Sequence, residues 1–432
     1  MKIYSFSRGG IKYEDHSVPP RDDYTTAFLP SLSVLPLIQH SGSKAYPVVT
    51  SGERVSEGML IGRGQGRGSA NVHATVPGRV LRFVSWKAAD DTVNEALVIH
   101  LAGSFEKLGR REEVFPWTSL SAPEIQRVIS QYGIVEMEGS GIPVSDLIAA
   151  RRGRDSHLSV VVRCVFDDPW LAADYVLVHE KLDRIAEGSV ITARAAMADR
   201  IVFVVSQGEE ELAARFTEKA GSFGIPVNIM VVGDRYPQHN QRELEYALRQ
   251  FEKKEGLELG GFLTLGPATL AAVFDAVKLK KPILERYVAV GGSAVKKPRV
   301  LKVRIGTRIG ELFDQCGGFA GIPGCIATGS PLSGKPVANL DEPVIKTSFA
   351  VFALLEKHRS SLPGAGCIGC GECRAVCPVG LDPEALYKAS KLGMVMAGPM
   401  GACHSCGCCD LVCPSRIALS SSIRDMAGRE QS

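Results

Sequence analysis

The chain has 432 residues, of which 45% are hydrophobic and 22% charged, and a formal net charge of +3 at pH 7. Its length predicts two to four domains, and its composition is that of a folded protein rather than a disordered one. The nearly neutral charge argues against nucleic-acid binding, no apolar run is long enough for a membrane helix, and the N-terminus "MKIYSFSRGG" lacks the apolar segment of a signal peptide.

Residues 1–125 predict a β-rich barrel-sandwich domain. They are rich in Gly, Pro, Val and Ser, and short alternating runs between Gly turns are typical of strands. The rhythm of the glycines, followed by "ATVPGRV", is similar to that of biotinyl/lipoyl-type barrels, which present a lysine at a hairpin tip. Here the tip falls near "HATVPG" (73–78), which has no lysine, so we do not expect a swinging arm.

Residues 126–280 predict an α/β domain with a mainly parallel sheet. Continuous apolar runs, typical of buried strands, occupy 159–166, 200–206 and 226–233. Helical patterns occupy 174–188, 209–224 and 241–254. Strands and helices that alternate at this spacing favour a parallel sheet covered by helices.

Residues 281–345 return to short strands and Gly-Pro turns, which predict a small β-rich domain. The segment "VIKTSFAVFALLEKHRS" (344–360) then predicts a helix that leads into the C-terminal domain, residues 346–432. Nine of the twelve cysteines lie in this last domain, between Cys367 and Cys413. A disulfide framework would be spread through a small secreted chain, so this layout predicts a metal module instead.

Two copies of the motif C-x2-C-x2-C-x3-C-P are present, each of which supplies four cysteines. The first copy has Cys367, Cys370, Cys373 and Cys377, and the second has Cys403, Cys406, Cys409 and Cys413. This is the pattern of bacterial two-cluster ferredoxins, in which the fourth cysteine of each copy ligates the other cluster. We therefore predict two [4Fe–4S] clusters with crossed ligation, Cys413 joining the first three cysteines and Cys377 joining the second set.

The connector between the motifs predicts a helix. Asp382 can cap it and Pro383 suits its first position. An apolar stripe of Ala385, Ala389, Leu392 and Met396 would follow, with Gly398 as the end. Such a helix links the two cluster loops of a two-cluster ferredoxin.

Zinc is the main alternative to clusters, but a tetrahedral zinc ion does not need a third cysteine at this spacing or a following proline. The fifth cysteine of the second copy, Cys408, is expected to pack beside the cluster, and His404 to be a polar loop residue rather than a ligand. Cys164, Cys316 and Cys325 are expected to be buried thiols.

Several stretches now resemble the C component of the Rnf-type electron transport complex, a family of ion-translocating oxidoreductase subunits. They are "SFSRGGI" (5–11), "LPLIQHSG" (35–42), "VHATVPGRV" (72–80), "GGSAVKKP" (291–298), "RIGT" (304–307), "CGG" (316–318) and the doubled cysteine motif, in that order. The resemblance covers roughly residues 5–420. It implies an α/β multidomain chain with a biotinyl/lipoyl-like barrel, a domain like the flavoprotein of respiratory complex I, a β-grasp soluble-ligand-binding domain and an α-helical two-cluster ferredoxin-like module.

The resemblance also implies a function and a location. The family's subunit is peripheral, on the cytoplasmic face of the plasma (inner) membrane, in a complex that couples electron flow between ferredoxin and NAD to ion transport. The implied partners are the integral-membrane and Fe–S subunits of that complex, with ferredoxin or NAD as further candidates and no nucleic acid.

The family's flavin fingerprints are changed in this chain. A glycine-rich loop close to G-x-x-G-x-G-G-A-G-F-P-T, followed by a lysine, becomes "GIVEMEGSGIPVSDLI" (133–148), with Glu136 and Glu138 at glycine positions and Leu147 at the lysine position. The second and third fingerprints become "RCVFDDPW" (163–170) and "YPQHNQRE" (236–243), the latter without its paired glycines. A flavin phosphate needs free backbone N–H groups and positive charge, so we expect FMN and NADH to bind weakly or not at all.

The leading hypothesis is an electron-transfer subunit of such a complex, without independent NADH dehydrogenase activity. The alternatives are an NADH-oxidising flavoenzyme with its own cluster relay, a soluble relay subunit that feeds a dedicated reductase, and a structural adapter. Cofactor analysis would separate the electron-transfer subunit and the flavoenzyme from the adapter. Neighbouring genes for integral-membrane partners would separate the electron-transfer subunit of a complex from the soluble relay.

Overall fold

The computed structural model describes residues 2–87, 93–151, 157–356, 366–392, 394 and 400–430. The strands are β1 (Ile3–Tyr4), β2 (Thr25–Thr26), β3 (Leu32–Pro36), β4 (Tyr46–Pro47), β5 (Arg54–Val55), β6 (Leu60–Arg63), β7 (Val72–His73), β8 (Gly78–Lys87), β9 (Val93–Leu101), β10 (Leu158–Cys164), β11 (Arg200–Ser206), β12 (Val227–Val232), β13 (Gly261–Leu265), β14 (Glu285–Gly291), β15 (Arg299–Arg304), β16 (Pro323–Thr328), β17 (Lys335–Pro336) and β18 (Ala350–Leu355). The α-helices are α1 (Ala122–Gln131), α2 (Val144–Arg151), α3 (Ala172–Ala196), α4 (Glu210–Gly221), α5 (Gln241–Glu255), α6 (Pro267–Leu279), α7 (Ile309–Gln315), α8 (Glu372–Ala375), α9 (Pro383–Lys391), α10 (Cys408–Leu411) and α11 (Leu419–Glu430).

Two antiparallel sheets form the N-terminal barrel sandwich, as predicted. One has the order β3–β9–β8–β5 and the other β4–β6–β7. Apolar side chains from both sheets share one core and are fully buried: Leu35, Ile61, Val72, Val80 and Leu97. The predicted hairpin tip is not free, because Thr75 is 1% exposed and its hydroxyl donates to the carbonyl of Ile305, 2.7 Å away. Packing thus adds to the missing lysine as a reason to exclude a swinging arm.

The predicted α/β domain contains a five-stranded sheet of order β1–β12–β11–β10–β13, in which every neighbouring pair is parallel. Helices cover both faces: α3, α4 and α6 share a core with Val160 and Val162, while α5 packs with Val161. Burial on both faces explains the continuous apolar run of β10. The edge strand β1 comes from the N-terminus, and nothing in its sequence pattern indicated that it would leave the barrel.

A mixed six-stranded sheet follows, of order β17–β16–β18–β14–β15–β2, with α7 packed on it. The helix predicted for residues 344–360 is wrong, because β18 lies in the middle of this sheet between β16 and β14. Val351 and Ala353 are fully buried against Phe313 of α7. A short apolar run fits a buried strand as well as a helix, and only the partner strands decide. Residues 357–360 of the prediction lie outside the described residues.

The cysteine module, by which we mean the described residues from 366 to 430, consists of four helices, α8 to α11. The connector helix α9 begins as predicted, because the carboxylate of Asp382 accepts a hydrogen bond from the N–H of Ala385 at 3.1 Å. It ends earlier than predicted, at Lys391, so Leu392 lies beyond it and is 73% exposed. Met396 and Gly398 lie outside the described residues. Leu386 of α9 packs instead with Ile423 of α11.

A buried ion pair joins the barrel to the mixed sheet. The guanidinium of Arg304 on β15 lies 2.7 Å from the carboxylate of Glu57, and both side chains are at most 5% exposed. Glu57 also accepts hydrogen bonds from the backbone N–H groups of Lys107 and Leu108. A buried charge is costly without its partner, so this pair fixes how the two domains meet.

We expect Arg304→Met to lower the free energy of unfolding by about 3 kcal/mol, because it leaves the carboxylate of Glu57 buried without its counter-ion. The control is Lys44→Met, which removes an ion pair of 2.5 Å whose side chains are 51% and 44% exposed. It should cost less than about 1 kcal/mol. Urea denaturation measures both, and equal losses would contradict the role of the buried pair.

Candidate metal centre and the adjoining cavity

The eight cysteines of the two motifs lie around two small cavities in the cysteine module. One cavity is lined by the outer group, Cys367, Cys370, Cys373 and Cys413. The other is lined by the inner group, Cys377, Cys403, Cys406 and Cys409. Each group takes three cysteines from one motif and the fourth from the other, which is the grouping that crossed ligation requires.

The same local structure occurs twice. Gly371 and Gly407 have φ of +79° and +76°, and each is followed by a short helix, α8 or α10. Glycine adopts this backbone conformation without strain, which lets the loop turn tightly between its second and third cysteines. The fourth cysteines are also matched: the N–H of Leu381 donates to the sulfur of Cys377 at 3.2 Å, and that of Ile417 to Cys413 at 3.5 Å.

The chemistry of the two groups fits iron–sulfur ligation. The four cysteines of each group line one cavity, and Cys₄ sets are the usual ligands of iron–sulfur clusters. A tetrahedral zinc ion does not need the third cysteine at this spacing or the proline that follows each motif.

The fifth cysteine, Cys408, is 1% exposed and lines the inner cavity. A hydrogen bond from its thiol is the main cause that lowers the pKa of Cys406 to about 7. Cys408 therefore packs beside the inner group, as predicted. Of the other cysteines, Cys164 and Cys316 are buried, whereas Cys325 on β16 is partly exposed.

The loop of the inner group rests on the α/β domain through side chains that begin or precede α5. Tyr236 donates its hydroxyl to the carbonyl of Cys406 at 2.7 Å, and Arg242 donates to the carbonyl of Ala402 at 3.1 Å. His404 lies 2.9 Å from the amide of Asn240 and 2.9 Å from the carboxylate of Glu243. We call this set of contacts the junction. It places His404 as a docking residue, in line with its predicted status as a non-ligand.

The N-terminal segment contacts the inner group from another side, at the end of the first motif, where Cys377 lies. Gly10 donates its N–H to the carbonyl of Val376 at 2.8 Å. At Gly9, which has a φ of +61°, a Cβ atom would lie 2.5 Å from the carbonyl oxygen of Cys377. The paired glycines of "SFSRGGI" are thus needed where two backbones meet.

A cavity of about 460 Å³ adjoins the junction and lies where the α/β domain, the barrel and the mixed sheet meet. All three altered flavin fingerprints contribute to its lining. They supply Glu138 and Gly139, then Arg163, Val165, Phe166 and Asp168, and finally His239, Asn240 and Gln241. The sequence grouped these segments correctly, since the structure brings them to one place.

The two glutamates at glycine positions use the N–H groups of their own loop. Glu136 accepts hydrogen bonds from the N–H of Ser140 at 2.6 Å and the N–H of Glu138 at 3.0 Å. Glu138 accepts from the N–H of Thr269 at 3.0 Å and from its hydroxyl at 2.5 Å, at the N-terminus of α6. A helix N-terminus and free loop N–H groups are what a phosphate would need. Carboxylates of the protein occupy these donors instead.

The charges around the loop are paired within the protein. Burial would raise the pKa of Glu138, but Arg286 and Arg163 outweigh it and hold that pKa below its usual value. Burial and the charge of Glu138 together raise the pKa of Glu136. Leu147, at the position of the family's lysine, packs against the apolar core and offers no cation.

In the third fingerprint, His239 and Asn240 stand at the positions of the lost glycines, and their side chains are also paired within the protein. His239 lies 2.9 Å from the carboxylate of Asp167, which is fully buried. Asn240 is the residue that contacts His404 across the junction. The three fingerprints are therefore replaced by an internally paired network.

Three functional side chains were not singled out from the sequence: Thr269, Arg286 and Asp174. Arg286 is 2% exposed and its guanidinium lies 3.7 Å from the carboxylate of Asp174. Burial raises the pKa of Asp174 to about 6. The Gly-Pro pair at the start of α6 could have pointed to Thr269. Arg286 on β14 and Asp174 on α3 are isolated charges that belong to no sequence motif.

Comparison with known proteins gives matches along most of the chain. Family models match the RnfC barrel sandwich hybrid domain at residues 5–104, the Nuo51 FMN-binding domain at 129–272 and the SLBB domain at 287–324. These matches and the clustered cysteines fit flavin and iron–sulfur chemistry in general terms.

Whole-chain relatives agree with the domain matches. The chain is 31% identical to the C component of the ion-translocating oxidoreductase complex of Rhodobacter capsulatus, over 89% of this chain and 75% of the relative. It is 29% identical to the C component of the proton-translocating ferredoxin:NAD(+) oxidoreductase complex of Clostridium ljungdahlii, over 88% and 83%. A solved structure of an NAD+-reducing [NiFe]-hydrogenase is similar at a TM-score of 0.49 and 14% identity, over 72% of this chain and 62% of that chain.

We expect Asp167→Asn to destabilise the protein by about 3 kcal/mol at pH 6 and by less at pH 9. Burial alone would lower the pKa of His239, but Asp167 outweighs it and the pKa is raised. A raised pKa stabilises the fold below the histidine's unfolded value of about 6.5, and the benefit is lost as pH rises through the folded value.

Urea denaturation at several pH values measures this effect. His157→Gln is the control, because His157 is 48% exposed beside Asp199, and its replacement should cost less than about 1 kcal/mol. A destabilisation by Asp167→Asn that does not change with pH would contradict the charged pair.

Proposed function

Because this chain belongs to the RnfC-type family of ion-translocating oxidoreductase subunits, we propose that it relays electrons through two [4Fe–4S] clusters within such a complex. The observation that carries the proposal is the interleaving of two cysteine groups around two cavities. Cys367, Cys370, Cys373 and Cys413 would hold one cluster, and Cys377, Cys403, Cys406 and Cys409 the other.

Each bound cluster supplies one-electron exchange without proton or bond chemistry. The protein's part is to hold the two groups at fixed positions. The junction fixes the inner group beside the cavity of about 460 Å³, while Cys370 of the outer group is exposed. Electrons would thus pass between the side of the module that faces the rest of the chain and the side that faces a partner.

The partners in this proposal are the membrane and iron–sulfur subunits of the same complex, with ferredoxin or NAD as the distal redox couple. Two relatives are named as ion-translocating and ferredoxin:NAD(+) oxidoreductase subunits, which supports this assignment. No helix among the described residues combines the length and apolar character needed to cross a membrane. In this proposal the chain lies at the cytoplasmic face of the membrane and is held there by other subunits of the complex.

Flavin binding is the second part of the proposal, and we propose that it is weak. The match to an FMN-binding domain favours an NADH-oxidising alternative. Against it, Glu136 and Glu138 take up the loop and helix N–H groups, and two carboxylates would face a flavin phosphate. Displacing them would expose buried charges, at a cost that phosphate contacts would have to exceed.

Substitutions that remove one cysteine test the crossed ligation. Cys373→Ala and Cys413→Ala should abolish the EPR signal of the same cluster, although the two residues come from different motifs. Cys377→Ala and Cys409→Ala should abolish the signal of the other cluster. Iron and sulfide in the anaerobically purified chain should fall by about half in each variant.

The control is Cys408→Ala, which should keep both clusters. If Cys413→Ala removed the same signal as Cys409→Ala, the ligation would follow the motifs and the crossed assignment would be wrong. If the unmodified chain contained no iron or sulfide, the relay itself would be excluded.

Reconstitution with FMN tests the flavin site. The unmodified chain should not become a stoichiometric yellow protein that NADH can bleach, because its anion-binding donors are already occupied. The variant Glu136→Gly/Glu138→Gly/Leu147→Lys frees those donors and adds a cation, so its affinity for FMN should rise at least about tenfold. The fluorescence of FMN measures its binding. Equal, stoichiometric binding of FMN by both proteins would favour the NADH-oxidising alternative.

A further inference from the structure

The two halves of the cysteine module differ sharply at one equivalent position. In "CHSC" the residue after the first cysteine is His404, and in "CIGC" it is Ile368. His404 is covered by Asn240 and Glu243 at the junction. Ile368 is 68% exposed and lies between Cys367 and Cys370 of the outer group. One loop face is therefore docked on the protein's own α/β domain, and the other presents an apolar side chain beside an exposed thiol.

Basic side chains border this exposed face. Lys388 pairs with Glu384, which lines the outer cavity, and Lys391 lies 5.5 Å from the centre of the ring of Tyr387, which packs on the outer group. Arg416 follows Cys413 by three residues and is exposed. Ser415 donates a hydrogen bond to the carbonyl of Gly366, which keeps this segment at the outer loop.

Two carboxylates near the face are engaged in ion pairs, whereas Glu372 on α8, next to Cys373, is exposed. Glu384 accepts from Lys388 at 2.6 Å and from Arg374 at 3.3 Å, and Asp382 pairs with Arg374 at 3.2 Å. In the part of the chain that the structure describes, no ion pair joins Lys391 or Arg416 to a carboxylate. The border thus keeps two free cations around an apolar centre.

We propose that this face, with Ile368 at its centre and Lys391 and Arg416 on its border, is the docking surface for a small acidic electron-transfer protein. An apolar centre above the redox group brings two centres close together, and opposite charges around it orient the encounter. One electron passes between the partner's centre and the outer cluster, so that one is oxidised as the other is reduced, with no bond or proton transfer. This assignment rests on the proposed relay.

The experiment uses the full chain, purified anaerobically, with its two clusters first established by iron, sulfide and EPR. Stopped-flow absorbance then follows electron transfer from a reduced acidic ferredoxin and, separately, from reduced basic cytochrome c, or to the oxidised form of each where the potentials require it. We expect the rate with ferredoxin to fall with ionic strength, and to fall about tenfold in Lys391→Glu/Arg416→Glu. The rate with cytochrome c should stay equal or rise.

Ile368→Glu should lower the rate of electron transfer with ferredoxin at every ionic strength, whereas Ile368→Leu should leave that rate unchanged. Lys253→Glu, which reverses an exposed lysine at the end of α5, is the matched control and should leave both rates unchanged. Because the border variants lie outside the two x2 loops, they keep the test valid if Ile368→Glu fails to assemble its cluster.

The outcomes separate the docking surface from the relay. Intact clusters with unchanged ferredoxin rates in the border variants, or equal losses in Lys253→Glu, would overturn the docking surface and leave the relay standing. Self-association of the chain that Ile368→Glu abolishes would assign the face to a second copy and overturn the proposal. A chain without clusters would overturn both.

Discussion

The rest of the cysteine module depends on one constraint, which is that the fourth cysteine of each motif lies beside the first three of the other. Cys377 and Cys413 can each lie beside the cysteines of the other motif only if the two loops face each other and the chain reverses direction after each loop. The packing of Leu386 on α9 against Ile423 on α11 provides that return. Crossing therefore makes the two cysteine groups parts of one unit, since neither is complete without the other motif.

A second constraint acts where the flavin fingerprints were altered. A glycine-rich loop keeps its N–H groups free for a ligand. A loop with buried carboxylates must instead provide hydrogen-bond donors for those carboxylates within the protein. Glu136 and Glu138 do so together with Ser140 and Thr269, while Arg163 compensates the charge of both glutamates and Arg286 that of Glu138. Each of these two glutamates is thus stabilised by hydrogen bonds and ion pairs with other residues of the chain. The cavity beside the inner group persists, but the N–H groups of Ser140 and Thr269 in the altered loop and at the start of α6 are bonded to carboxylates of the protein.

The sequence predicted those parts of the protein whose signals are local. The buried strands β10, β11 and β12, the cap at Asp382 and the spacing of the eight cysteines all show within a few residues. What failed depended on distant partners. The run that forms β18 is apolar enough for a helix, and only its neighbours β14 and β16 make it a strand. Thr269 and Arg286 likewise gain their roles from Glu138, more than 100 residues away in the chain.

The pseudo-symmetry of the cysteine module raises the question of why it docks in only one orientation. In the observed arrangement, His404 is the hydrogen-bond partner of Glu243, whose side chain is only 2% exposed. If the module turned so that its other loop met α5, Ile368 would face that carboxylate and leave it buried without a partner. A buried, unpaired carboxylate costs several kcal/mol, which exceeds any gain from covering one isoleucine, about 2 kcal/mol. This difference between the repeated loops therefore favours the orientation in which the inner cysteine group faces the body of the protein and the outer group faces outward.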